Sequence, residues 1–136
     1  MTDLSARLDS EKPVILDGAM GTMIQSYKLN EQDFCGDNFP SHRYDLQGNN
    51  DILCLTQPDI VREIHQAYFN AGAHIVETNT FSANAISQSD YGTEDLIYEI
   101  NLQIYLRTSY LFFIGFVRAS LCIQGQKCYG WRNYNR

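Results

Sequence analysis

The strongest constraint on the fold is an order of elements: apolar run, glycine turn, helix, strand, helix. Thr56-Gln-Pro-Asp59 opens the clearest of these. Pro58 suits a first helical position, and Asp59 favours the positive end of the helix dipole. Ile60, Val61, Ile64, Ala67, Tyr68 and Ala71 then recur at helical spacing, which predicts one buried face. Gly72 is a left-handed stop, and the strand His74-Ile-Val-Glu-Thr78 follows at once. Upstream, Val14 to Leu16 is a short apolar run after Pro13, closed by Asp17 and the turn Gly18-Ala-Met-Gly21. It reads as a first strand over 14–17. Strands joined through a helix pair in parallel, so the chain reads as an α/β fold.

The remaining elements are weaker. Thr2 to Glu11 has Leu4 and Leu8 on one helical face, and Thr22 to Tyr27 suits a turn or two of helix. Residues 30–50 are polar and irregular and read as a long surface loop. Ser82 is expected to cap a short helix running to Ser89. Thr93 is expected to cap another, with Glu94 and Asp95 in its first turn.

Composition excludes several function classes. The chain has 136 residues, 44% hydrophobic and 19% charged, as expected of one soluble domain. A net charge of −6 argues against a surface that tracks nucleic-acid phosphates. Cys35, Cys54, Cys122 and Cys128 are scattered without Cys-x-x-Cys spacing, so neither a disulfide framework nor a local zinc knuckle is expected. A reducing, cytoplasmic setting is the expectation. The charge is unevenly divided. All sixteen acidic residues and five of the ten basic ones lie in residues 1–101, a net of −11, which leaves +5 for residues 102–136. That tail is aromatic, and its apolar run Tyr110 to Val117 is far shorter than the roughly 20 residues of a membrane span. It reads as a strand, a helix end, an interfacial anchor or, preferably, an aggregation-prone segment. The charge break near residue 101 is the strongest boundary in the chain.

The two strand ends share a chemistry. Asp17 closes the first and Glu77-Thr78-Asn79 the second, and in a parallel sheet both ends lie on one edge. An acid on each, with hydroxyl and amide neighbours, makes a rim suited to a small cationic or zwitterionic ligand. The plainer readings are a turn at Asp17-Gly18, an ion pair for Glu77, and helix capping by Thr78 and Asn79.

The stretches 15–34, ILDGAMGTMIQSYKLNEQDF, and 48–84, GNNDILCLTQPDIVREIHQAYFNAGAHIVETNTFSAN, together with Asp90-Tyr-Gly92, resemble the homocysteine S-methyltransferase family. LNEQDF and GNNDILCLTQPDIV place the resemblance closest to the homocysteine-binding domain of the cobalamin-dependent methionine synthases. The likeness covers residues 8–101. It implies a (βα)8 TIM-type barrel of which this chain carries the N-terminal fragment, the first βα units only, since a whole barrel takes about 250 residues. It also implies homocysteine at the C-terminal ends of the strands, with its sulfur deprotonated on zinc and methylated from cobalamin carried by another module. Asp17 matches the aspartate expected to hold the substrate ammonium. Gly18 and Ala19 belong to the same pocket floor, and Glu77, Thr78 and Asn79 match the second strand-end motif.

Two departures accompany the resemblance. The family's zinc cysteines lie late in its barrel, and none of the four cysteines here matches them. Neither zinc nor cobalamin is therefore expected to bind this chain, and no catalytic residue or metal ligand is assigned. After Asn101 the family pattern gives way to an unrelated tail over 102–136, where the charge also breaks. A shifted frame, a retained intron or a mis-joined gene model would each produce such an ending. The resulting expectations are homocysteine as the small-molecule partner, no nucleic acid, no membrane, and folate and cobalamin domains as partners in an intact enzyme. A barrel opened after its second strand is also expected to leave that strand's outer edge unpaired, with poor solubility.

Overall fold

A computed structural model describes residues 13–109 and 116–118. The expected N-terminal helix over 2–11 and most of the tail lie outside the described residues. The chain is mainly helical around a small parallel sheet. Its elements are α1 (Met20–Ser26), α2 (Glu31–Cys35), a 3-10 turn (Asn50–Ile52) leading into α3 (Leu53–Thr56), α4 (Pro58–Asn70), β1 (Ile75–Glu77), α5 (Ala85–Ser89), a second 3-10 turn (Glu94–Leu96), α6 (Ile97–Ser109) and β2 (Phe116–Arg118). No closed barrel is present among the described residues.

The sheet corrects two expectations. The first strand is reduced to a single parallel bridge, Leu16 to Ile75. Pro13 offers no N–H, and Ile15 gives its own to the Nδ1 atom of His74 at 3.1 Å. At the other end the ladder continues as far as Asp17 N–H donating to the Ile75 carbonyl at 2.9 Å. The next rung would run from Glu77 N–H to the Asp17 carbonyl, but Glu77 donates to the Asp17 side chain, Oδ2, at 3.0 Å. The carboxylate thus takes over a backbone rung and ends the pairing. The outer edge of β1 is also occupied, because β2 pairs with it in parallel, with Ile75, Val76 and Glu77 opposite Phe116, Val117 and Arg118. Part of the expected tail therefore serves as a strand.

Pro58 starts α4, and Gly72 follows it at φ +103°, the left-handed region open to glycine. Its buried face is Val61, Ile64, His65 and Phe69; Ala67 and Ala71, expected inward, are exposed. Val61 and Ile64 join Ile24, Leu46, Leu53 and Ile100 in the main core. The run over 30–50 is not simply a loop. Asn30 caps α2 by accepting from Gln32 N–H at 2.8 Å and Asp33 N–H at 3.3 Å, and Asp33 Oδ2 accepts from Asn30 N–H at 2.8 Å, a reciprocal capping box. Glu31 then accepts from the Leu46 and Gln47 N–H groups at 2.7 and 2.6 Å and from the Cys35 thiol at 3.1 Å. Those hydrogen bonds draw its carboxyl below the usual carboxylate range against the opposing effect of burial. Leu46 is thereby drawn fully into the core.

Two capping expectations are also corrected. Asn84, not Ser82, caps α5, its Oδ1 accepting from Ser87 N–H at 3.0 Å. Thr93 makes no side-chain cap, because its hydroxyl turns inward and donates to Gln88 Oε1 at 2.7 Å. The helix α6 begins after the second 3-10 turn and runs unbroken through residue 101 to Ser109.

Candidate functional site

At the edge where the first bridge and β1 both end, a cavity of about 890 Å³ opens. Its walls come from the turn 17–21, the segment 48–51, the β1–α5 connection and the end of α5. All six residues singled out in the sequence, Asp17, Gly18, Ala19, Glu77, Thr78 and Asn79, lie on it. They differ in what their side chains are free to do.

Asp17 is partly buried and faces the backbone of β1. Burial pushes its carboxyl above the ordinary value; the Glu77 N–H draws it down, and the charge of Glu77 pushes it up again. Glu77 itself is exposed. An incoming cation on this wall offsets the unfavourable effect of the Glu77 charge on Asp17. Gly18 packs over Tyr68, and a Cβ there would meet the Tyr68 hydroxyl oxygen at 3.3 Å, a close contact from which that ring would have to give way slightly. Thr78 pairs its hydroxyl with that of Thr80 at 2.8 Å. Asn79 is buried, and its Nδ2 is committed to the Asn50 carbonyl at 2.7 Å. Its amide therefore fastens the 3-10 turn to the end of β1.

The sequence reading missed the cavity's back wall, Asn49 and Asp51, and the polar layer of Gln88 and Thr93 packed behind it. Asp51, Asn49, Gln88 and Thr93 are all buried. Asn49 and Gln88 form a two-bond amide pair, Nδ2 to Oε1 at 2.8 Å and Nε2 to Oδ1 at 3.2 Å. Gln88 also donates to the Ser82 carbonyl at 3.1 Å. Asp51 accepts from Ser82 N–H at 2.8 Å, and burial raises its pKa to about 6. His65 lies behind β1 and donates from Nε2 to the Glu77 carbonyl at 3.1 Å, with Nδ1 left as the unprotonated nitrogen. Burial lowers its pKa, with the Glu77 carbonyl acting in the opposite sense. The periodicity of α4 was a usable signal for His65, which sits beside Ile64 on the buried face. For Asp51 and Gln88 no local signal exists.

Four carboxyls line the cavity, Asp17, Asp51, Glu77 and Asp90, and its described lining contains no lysine, arginine or histidine. Such a wall concentrates negative potential and suits a ligand with a cationic end. The family model for homocysteine S-methyltransferase matches residues 14–108, more than half of the chain. The chain belongs to the homocysteine S-methyltransferase family. The match includes both strand ends, the back wall, and α6 beyond the charge break at residue 101.

The resemblance drawn from the sequence also implied a zinc ion held by thiolates. Among the described residues no group of three or more His, Cys, Asp or Glu is placed to hold a metal ion. The Cys35 thiol donates to Glu31, a bond that, followed by burial, pushes its pKa up and keeps it protonated. The Cys54 thiol donates to the Asn79 carbonyl at 3.3 Å. Cys122 and Cys128 lie outside the described residues. The described thiols do not fit a zinc site. Among the described residues no helix is long and apolar enough to cross a membrane.

Proposed function

We propose that the cavity holds the amino-acid end of homocysteine, with Asp17 taking the ammonium, for methyl transfer of the cobalamin-dependent methionine synthase type. The observation that carries this reading is the position of Asp17. Its carboxylate stands where the first bridge and β1 both end, in a wall of acids with no basic side chain among the described lining. An ammonium placed there relieves both the burial of Asp17 and its repulsion from Glu77. Gly18 and Ala19 supply the floor, Glu77 and Thr78 the opposite rim, and Asn79 holds that rim to the back wall.

On this reading residues 8–101 are the first units of a homocysteine-binding barrel. The methyl donor and its folate supply come from cobalamin and folate domains outside this chain, in a cytoplasmic setting that keeps thiols such as those of Cys35 and Cys54 reduced. Both thiols are engaged with Glu31 and Asn79. This favours a second, coupled reading, in which the chain alone binds the amino-acid end without activating the sulfur and so forms no methionine.

The test compares homocysteine with 4-mercaptobutanoate, which keeps the thiol and carboxylate and lacks the ammonium. Calorimetric titration into the 136-residue chain should show homocysteine binding at least about tenfold tighter, the worth of one charge-assisted hydrogen bond. Equal affinities would remove ammonium recognition from this cavity.

A further inference from the structure

The connection between β1 and α5 carries an unusual side chain at the rim of the cavity. Phe81 is 98% exposed, so no packing holds its ring. The backbone on either side of it is firmly held. Thr80 N–H donates to the Thr78 carbonyl at 2.8 Å, and Asn101 Nδ2 donates to the carbonyl of buried Ala83 at 3.3 Å. Between those anchors the N–H of Ser82 turns toward a buried carboxylate, Asp51.

Asp51 is only 3% exposed, on the 3-10 turn whose next two residues, Ile52 and Leu53, are core. It is therefore carried on one of the most tightly packed segments of the chain. Its Oδ2 accepts from Ser82 N–H at 2.8 Å, and Gln88 Nε2, which donates to Asn49 and to the Ser82 carbonyl, lies 3.5 Å away. The peptide that follows the exposed Phe81 ring is therefore fixed from beneath by a buried side chain.

We propose that Asp51 is the positioning residue of the cavity mouth, holding Phe81 at the rim through the Ser82 N–H, which belongs to the peptide that joins the two residues. The idea goes beyond the binding of homocysteine and does not depend on it. Phe81 is thereby presented to whatever the cavity takes up, and its setting is governed by the charge on Asp51 rather than by packing. Because the carboxylate is the acceptor, protonation weakens that bond. The other ionisable groups on the cavity are Asp17, Glu77, Asp90 and Tyr91, with His65 behind β1.

The experiment uses the 136-residue chain without ligand, so its outcome is separate from that of any homocysteine titration. The side-chain carboxyl signals of the aspartates and the backbone amide signal of Ser82 are followed by NMR from pH 4.5 to 7.5, a range chosen to bracket the Asp51 value of about 6. The Ser82 amide should move with the midpoint of Asp51 and with no other carboxyl. A flat amide signal across the Asp51 titration, or a midpoint shared with Asp17 instead, would overturn the proposal. In Asp51→Asn, amide exchange at Ser82 should quicken by at least about tenfold while Val76 in the core stays within about twofold. Equal quickening at both positions means general loosening and counts against a positioning role. If that variant does not fold, the titration of the unaltered chain decides alone.

Discussion

Replacing Gln88 by leucine nearly preserves the side chain's bulk and removes the amide at the centre of the polar layer behind the cavity wall. Gln88 is fully buried and accepts from Asn49 Nδ2 at 2.8 Å and from the Thr93 hydroxyl at 2.7 Å. Not every partner is stranded by its loss. The Ser82 carbonyl keeps the N–H of Asn84 at 2.8 Å, and the Thr93 hydroxyl turns to the main-chain carbonyl of residue 88, now at 3.3 Å. Asn49 Nδ2 falls back on Thr93 Oγ1 at 3.4 Å, but Asn49 Oδ1 loses the donor it has in Gln88 Nε2. One buried orphan costs about 2 kcal/mol, and two weakened bonds add about 1 kcal/mol each. Leucine's easier transfer into the interior returns roughly 1 kcal/mol. The net loss is about 3 kcal/mol, a large part of the roughly 5–15 kcal/mol that keeps an ordinary domain folded. Urea unfolding followed by circular dichroism should show the midpoint falling with the slope unchanged. A loss below about 1 kcal/mol would refute the reasoning, because it would mean that the amide pair does not hold the wall.

Asn30→Ala should cost about 1 kcal/mol in the same assay, since it removes the capping-box acceptor for Gln32 and Asp33 N–H at the start of α2. An unchanged midpoint would show that Glu31's bonds to residues 46 and 47 hold that turn without the cap. The pH dependence of stability should carry an Asp51 contribution of unusual sign. Its folded pKa is raised from 3.8 to about 6, so the folded state binds the proton more tightly and stability falls as pH rises through that window, by roughly 3 kcal/mol from this group. His65, with its pKa lowered by burial, acts oppositely: its contribution is lost as pH falls below 6.5. Asp51→Asn should therefore remove the falling limb and leave that of His65, and a wild-type and variant pair with parallel stability profiles from pH 4 to 6.5 would contradict the assignment.

The elements readable in the sequence are those whose signals are local. Pro58 and Gly72 bracket α4 by their own backbone restrictions, and β1 follows the glycine stop directly. The edge formed by Asp17 and Glu77 was legible because a parallel sheet brings strand ends together whatever surrounds them. Its length was not, since the Asp17 side chain displaces a backbone rung that no pattern of apolar residues records. The Asn30 to Asp33 capping box is a local signal, but it lies in a polar stretch where composition suggested a loop. Leu46 is a lone apolar residue made core by the Glu31 carboxylate fifteen residues earlier. Asp51 and Gln88 meet across 37 residues of chain, so their burial follows from tertiary packing alone. Ser82 carries the right residue type for a cap, yet its own N–H is spent on Asp51, and Asn84 takes the role.

The account turns on Asp17, and the most direct measurement of it is homocysteine titration into the folded Asp17→Asn chain beside the unaltered one. The substitution keeps the shape and leaves an oxygen to accept the Glu77 N–H, now at 3.0 Å, while removing the charge that would face an ammonium. Trading a charge-assisted hydrogen bond for a neutral one should weaken binding by roughly ten- to a hundredfold, about 1.5–3 kcal/mol. A turn-forming role for Asp17-Gly18 gives the opposite pattern, a lower unfolding midpoint with affinity per folded molecule intact. Weakened binding at an unchanged midpoint is the predicted result, and unchanged affinity in the folded variant would remove Asp17, and with it this reading of the cavity, from the site.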